Sequence, residues 1–163
     1  MLKRIESTLA AIKTKLSADK IIKQLLVHDG NDALEVQLPE GINLDKYITL
    51  KPVFEFENKE DYKQNSIVNI YMTEAQPNGG AKAVDATIQI NVVCNESVWE
   101  LIDNKIRPLR IANRIIELVN EAKFTASNKM VLNGLTELII NKKMYGYALL
   151  FELTDGSGEI DKF

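Results

Sequence analysis

The sequence predicts an α+β fold: an antiparallel or mixed β-sheet of about five strands packed against a main helix, with an N-terminal helical segment. Three observations predict it. Apolar residues recur at helical spacing near the N-terminus and again after Pro108. They alternate at period two in several stretches between residues 47 and 94, and again from 135 to 153. The resulting order is helices, three strands, a helix and two strands, which groups the strands around one helix. The 163 residues suffice for one sizeable core. No composition shift marks a second domain. Residues 1–163 are therefore one domain, with N-terminal helices at 1–28, a sheet-and-helix core at 47–153 and a flexible tail at 154–163.

Leu2, Ile5, Leu9, Ile12 and Leu16 fall on one stripe of a first helix. The rhythm breaks at Ser17, a candidate N-cap for a shorter second helix whose dipole Asp19 would favour. Ile21, Ile22, Leu25 and Leu26 form its apolar face, and Asp29-Gly30-Asn31-Asp32 ends it with turn chemistry. Residues 33–46, with Pro39 and Gly41, read as an irregular connection. Residues 47–57 read as a strand through Ile48, Leu50, Phe54 and Phe56, with Pro52 favouring an edge or a bulge. The charged stretch 57–65 is a solvated loop.

Strands follow at 66–73 and 84–94. In the second, Val84, Ala86, Ile88, Ile90, Val92 and Cys94 alternate with Asp85, Thr87, Gln89, Asn91 and Val93. That alternation predicts one buried and one wet face. Residues 74–83, with Pro77-Asn78-Gly79-Gly80, are too many for a tight hairpin and should protrude as a mobile loop. Val98-Trp99 and Leu101-Ile102 read as a helical turn leading to the main helix, at about 106–122, with Pro108 in its first turn. Its core face is Leu109, Ala112, Ile115, Ile116 and Val119. Asn133-Gly134 marks a turn. Residues 135–140 and 144–153 form a terminal hairpin across Asn141-Lys142-Lys143, with Tyr145, Tyr147, Leu149, Phe151 and Leu153 on one parity.

The residues leave little room for chemistry. A net charge of −3 argues against bulk electrostatic binding to nucleic acid. No apolar run reaches the length of a membrane span, and the charged opening Met1-Leu2-Lys3-Arg4 lacks the apolar core of a signal peptide. The expectation is a protein used inside a cell, or packed into something assembled there. His28 beside Asp29 reads as structural, because acid–base work needs partners within reach. Cys94 lies on the apolar parity of its strand and reads as a buried thiol. One His and one Cys exclude a typical structural zinc site within one chain. Asn78-Gly79-Gly80 lacks the Lys and the strand-to-helix setting of a phosphate loop. Asp155, Glu159 and Asp161 lack calcium-loop spacing. The sequence thus predicts no catalytic residue, cofactor or metal. Arg107, Arg110 and Arg114, at spacings of three and four, point one way on the main helix. They suit a solvated face or a subunit contact to carboxylates of a neighbour.

The order of elements resembles the small neck and tail-completion proteins of tailed bacteriophages, tail terminators among them. Three stretches carry the likeness: the helical opening from Ala11 through Leu26 to Asp29-Gly30-Asn31-Asp32; the strand Ile67 to Met72 with the long loop and second strand after it; and the helix Leu109 to Asn120, followed by Asn133-Gly134-Leu135 and the closing Tyr145 to Phe151. The resemblance implies a cofactor-free virion protein, assembled in the host cytoplasm. It implies a homo-oligomeric ring, six- or twelvefold, stacked between portal and tail, contacting other neck, portal-adaptor or tail proteins and surrounding the DNA. The candidate subunit-interface residues are then Arg107, Arg110 and Arg114 with Pro77, Asn78, Gly79 and Gly80. A non-catalytic adaptor or chaperone-like module, docking partners on the stripe from Leu2 to Leu16, is the alternative.

Overall fold

The computed structural model describes residues 2–51, 63–77, 84–124 and 128–155. The fold is α+β. Helix α1 spans Leu2–Ala18 and helix α2 spans Lys20–Val27. After an irregular connection come strands β1 (Ile48–Thr49), β2 (Ser66–Pro77) and β3 (Val84–Asn95). A two-stranded ribbon, β4 (Glu100–Leu101) and β5 (Lys105–Ile106), precedes helix α3 (Arg107–Val119). Strands β6 (Asn128–Ile139) and β7 (Met144–Asp155) close the chain. The main sheet is mixed, in the order β1-β2-β3-β7-β6. Only β1 and β2 run parallel.

The predicted stripe of α1 enters the core: Ile5, Ile12 and Leu16 are buried and Leu9 is partly so. Burying these side chains drives α1 onto the sheet, so the stripe is not available as a docking face for a partner helix. The side chain of Leu2 lies outside the described residues. Thr8 joins the stripe fully buried, its hydroxyl donating to the Arg4 carbonyl at 2.9 Å.

The junction between α1 and α2 differs from expectation. Ser17 stays helical, and Asp19 is the N-cap of α2, extended at φ −78°, ψ 128°. Its carboxylate accepts from the Ile22 amide at 3.0 Å, the usual geometry for the otherwise unpaired first amides of a helix. Ile22, Leu25 and Leu26 are buried as predicted, but Ile21 is 38% exposed. Gln24 takes the fourth buried place. Its amide donates to the carbonyls of Leu34 and Val36, which ties the 33–46 connection to α2.

Strand β1 is far shorter than the predicted 47–57. Leu50 is 43% exposed, and the predicted positions from 52 onward lie outside the described residues. Strand β2 runs four residues further than predicted, with a bulge between Met72 and Glu74, and its last residue Pro77 pairs with Val84. Residues 74–77 are therefore strand rather than loop. The rest of the predicted loop, 78–83, lies outside the described residues. Asn133-Gly134 is a bulge inside β6 and not a turn. The extra residue is Asn133, whose amide donates to Glu152 on β7 at 2.9 Å. The hairpin turn sits at 140–143, taking in Ile140 as well as the predicted 141–143, and the Asn141 side chain accepts from the Lys143 and Met144 amides.

The predicted helical turn at 98–102 is a 3-10 turn, Glu96–Val98, followed by the β4–β5 ribbon. Asp103 and Asn104 turn that ribbon at φ 63° and 57°. Asn and Asp tolerate the left-handed region because their short side chains bond locally.

The core lies between the three helices and one sheet face. Ala86, Ile88, Ile90, Val92 and Cys94 of β3 and Leu149, Phe151 and Leu153 of β7 supply the sheet side. The opposite face of β3 is not uniformly wet. Val93 is fully buried with Ile67 and Met144 in a second small cluster, and Asn91 is 1% exposed. Central strands are shielded by long neighbours on both flanks, so even their outer side chains lose contact with water.

Candidate interaction surface and the buried arginine

The three arginines of α3 do not form one solvent-facing set. Arg107 is completely buried at the first position of α3. Its Nε donates to the Val98 carbonyl at 2.7 Å. Nη1 donates to Leu25 and His28 carbonyls at 2.6 and 2.8 Å, and Nη2 to that of Gly30 at 2.7 Å. The guanidinium thus ties the C-terminal end of α2 and the following turn to the 3-10 turn before α3. A helix C-terminus carries unpaired carbonyls and partial negative charge, so a planar cation with five donors fits it. Burial pushes the Arg107 pKa down, opposed by favourable charge interactions with Cys94 and Asp29. Arg107 is therefore an internal tie, unavailable to a neighbouring subunit.

Arg114 is spoken for within the chain. Its Nε and Nη2 donate to Asp19 Oδ2 at 3.1 and 2.6 Å, and Nη1 to Glu117 at 2.8 Å. Of the three, Arg110 alone is exposed. Of the loop candidates, Pro77 is exposed at the end of β2, while Asn78, Gly79 and Gly80 lie outside the described residues.

Asp19 therefore both caps α2 and holds α3. Burial works against its ionisation, but the hydrogen bonds from Arg114 and the Ile22 amide outweigh it and hold the carboxyl below its usual range. A depressed carboxylate stabilises the fold above its unfolded pKa and loses that contribution as pH falls through the folded value. Urea unfolding should show a loss below about pH 4 that Asp19→Ala removes, with a cost near neutrality of about 1–2 kcal/mol. An unchanged acid limb in the variant would contradict this assignment.

His28 pairs with Asp32, not Asp29: Nε2 lies 2.9 Å from Asp32 Oδ1. Asp29 instead accepts from the Asn65 amide at 2.8 Å. The histidine closes the turn whose carbonyls Arg107 reads, which is a structural post. Burial pushes the Cys94 thiol up to about 12. Folded protein should therefore leave Cys94 unlabelled by a maleimide, with full labelling in denaturant; rapid labelling of the native chain would contradict its burial. Among the described residues, no group of three or more His, Cys, Asp or Glu side chains is placed to hold a metal ion. No helix among them is long and apolar enough to cross a membrane.

Among the described residues, the fold leaves one stretch of sheet edge open, from Asn133 to Ile139. β6 ends the sheet, and its exposed residues include Val131 at 39%, Leu135 at 46% and Ile139 at 68%. This edge is hidden in the sequence because Asn133-Gly134 looks like a turn and masks the first half of β6. The alternation of Met130 with Leu132 ahead of it was the available signal.

Fold and surface together define an α+β protein whose one arginine cluster is mostly internal and whose sheet ends in an open strand. Residues 19–153 match the family model YomW. The match covers most of the chain, and the protein belongs to the YomW family, a phage-type family of the SPbeta-like yom group. No curated protein matches the chain.

Proposed function

We propose that the chain is a structural subunit of a phage head-to-tail connector, a neck or tail-completion ring that joins the portal region to the tail and surrounds the DNA channel. The observation that carries this reading is the open sheet edge on a protein of a phage-type family. A ring is the closed form of a head-to-tail contact, and such a contact needs two different unfilled surfaces on one chain. In this reading the subunit has no catalytic step. Its thiol is buried, and its histidine and two of its three α3 arginines are committed to internal contacts. Its place is the virion, with six or twelve copies per ring and portal-side and tail-side proteins above and below.

Electron microscopy of the chain co-expressed with portal and tail proteins tests the reading. Rings, or density at the neck of particles, are the expected result. A chain that never joins a particle and leaves particle assembly intact when deleted would overturn it.

A further inference from the structure

The outer side of β6 presents a defined set of backbone groups. The Ile140 amide donates to the Met144 carbonyl across the hairpin, so residues 136 and 138, on the same parity, turn their backbone groups to β7. Residues 135, 137 and 139 turn theirs away from the sheet, and among the described residues nothing meets them. Nearer the start of β6 such groups are filled. The Glu121 amide donates to the Met130 carbonyl, the Met130 amide to the Ala122 carbonyl, and the Leu132 amide to Asn120 Oδ1. An unfilled run of this kind is a template for another strand.

The side chains of the same three residues share a face. Leu135, Glu137 and Ile139 stand opposite Leu149, Tyr147 and Tyr145, which puts all three on the helix side of the sheet. Leu135 is 46% exposed and Ile139 68%, and Glu137 between them is exposed as well. An added strand would therefore set three side chains on this face. Two would cover Leu135 and Ile139, and the middle one would meet the Glu137 carboxylate.

Glu137 decides which strand fits. It has no ion pair or side-chain hydrogen bond with a described residue. Opposite charges directly across two strands attract, and like charges repel. A second β6 is a poor donor for that reason. The antiparallel register that joins all three outward residues of both strands sets one Glu137 directly against the other. No other described strand of the chain carries a basic residue between apolar ones at alternate positions. The complement is therefore sought in a different protein.

We propose that the Asn133–Ile139 edge of β6 binds an extended segment of a second protein, one that carries Lys or Arg with an apolar residue two places to either side. The segment adds a strand to the sheet, its backbone pairing with residues 135, 137 and 139 and its basic head group with Glu137. The pattern reads the same in both directions, so parallel and antiparallel addition both satisfy it. The proposal rests on the connector reading for its setting, in which the donor is a neighbouring neck or tail protein, but it makes its own claim about the isolated chain.

Two measurements on the nitrogen-15-labelled full chain test it. In the free chain the amides of Leu135, Glu137 and Ile139 should exchange with solvent roughly a hundredfold faster than those of Thr136 and Leu138, which β7 protects. Titration with the blocked peptide Thr-Val-Thr-Lys-Thr-Val-Thr should then move the amide signals of residues 133–139. The same peptide with Glu in place of Lys should bind about fivefold more weakly. Glu137→Lys, at an exposed position, should keep the wild-type circular dichroism and reverse that preference. Slow exchange at 135, 137 and 139 in the free chain, whether its own residues or a second copy fill the edge, would overturn the proposal. So would signals that move only elsewhere, equal binding of the two peptides, an unchanged preference in Glu137→Lys, or no binding of either peptide at millimolar concentration. Rings at the neck of particles from a chain that fails these tests would leave the connector reading standing, so the two fail separately.

Discussion

Replacing Arg107 with methionine is expected to cost about 4 kcal/mol or more, a large part of the 5–15 kcal/mol typical of a domain. The substitution removes four hydrogen bonds at once and strands the carbonyls of Leu25, His28, Val98 and Gly30. Each unmet buried polar group costs roughly 1–3 kcal/mol, with some recovery where water can enter. The methionine fills part of the volume but offers no donor. Arg107→Lys should recover less than half of the loss, because an ammonium has three donors and no planar fork to span four acceptors. For a chain of this length the methionine variant should melt roughly 8–16 °C lower. Urea denaturation of the three proteins checks the order. A loss under about 1 kcal/mol would mean that these carbonyls are well solvated without the guanidinium.

Gly146→Ala should be comparably damaging for a different reason. A Cβ there would lie 1.9 Å from the Val92 carbonyl oxygen and 2.9 Å from its carbon. Both are backbone atoms of β3, so no side chain can swing away. β3 and β7 are adjacent central strands, with Val93 opposite Gly146. Admitting the methyl group means parting them, at a cost of about 3 kcal/mol or more, above most overpacked sites. Gly134→Ala is the control. It sits at the bulge of β6 with nothing within 4 Å of its Cβ position. Its effect should stay within about 1 kcal/mol, with a stabilising sign possible because glycine weakens strands. Equal effects at the two glycines, read by thermal melts, would show that backbone crowding at Gly146 is relieved cheaply.

Much of the fold was legible where one periodicity ran uninterrupted. The α1 stripe, the inward parity of β3 and the Tyr145-to-Leu153 parity all face the core, as their spacing predicts. The failures fall where local residues fit two structures equally well. Asn133-Gly134 suits a turn as readily as a bulge, and the choice was made by β7 pairing on both sides of it. Ser17 and Asp19 are both good caps. Asp19 won because its carboxylate also meets Arg114, 95 residues away in the chain. Leu109 was read as core from its spacing, yet α3 packs toward β3 and β7 and leaves it at the rim.

The candidate surface shows the same division. Spacing put Arg107, Arg110 and Arg114 on one side of a helix, but spacing cannot say which charge goes inward. Arg107 begins α3 just where the carbonyl-rich end of α2 arrives, and that meeting exists only in three dimensions. The shortage of chemistry-bearing residues, by contrast, was plain in a chain with one His and one Cys. Composition and period alone determined an α+β chain with helices against a sheet and few groups suited to catalysis, because amphipathic spacing dictates which face must leave water. Only the tertiary structure decided which arginine became an internal tie and which strand stayed an open edge. Both depend on contacts between residues distant in the chain, whose alternatives are locally almost equal in energy.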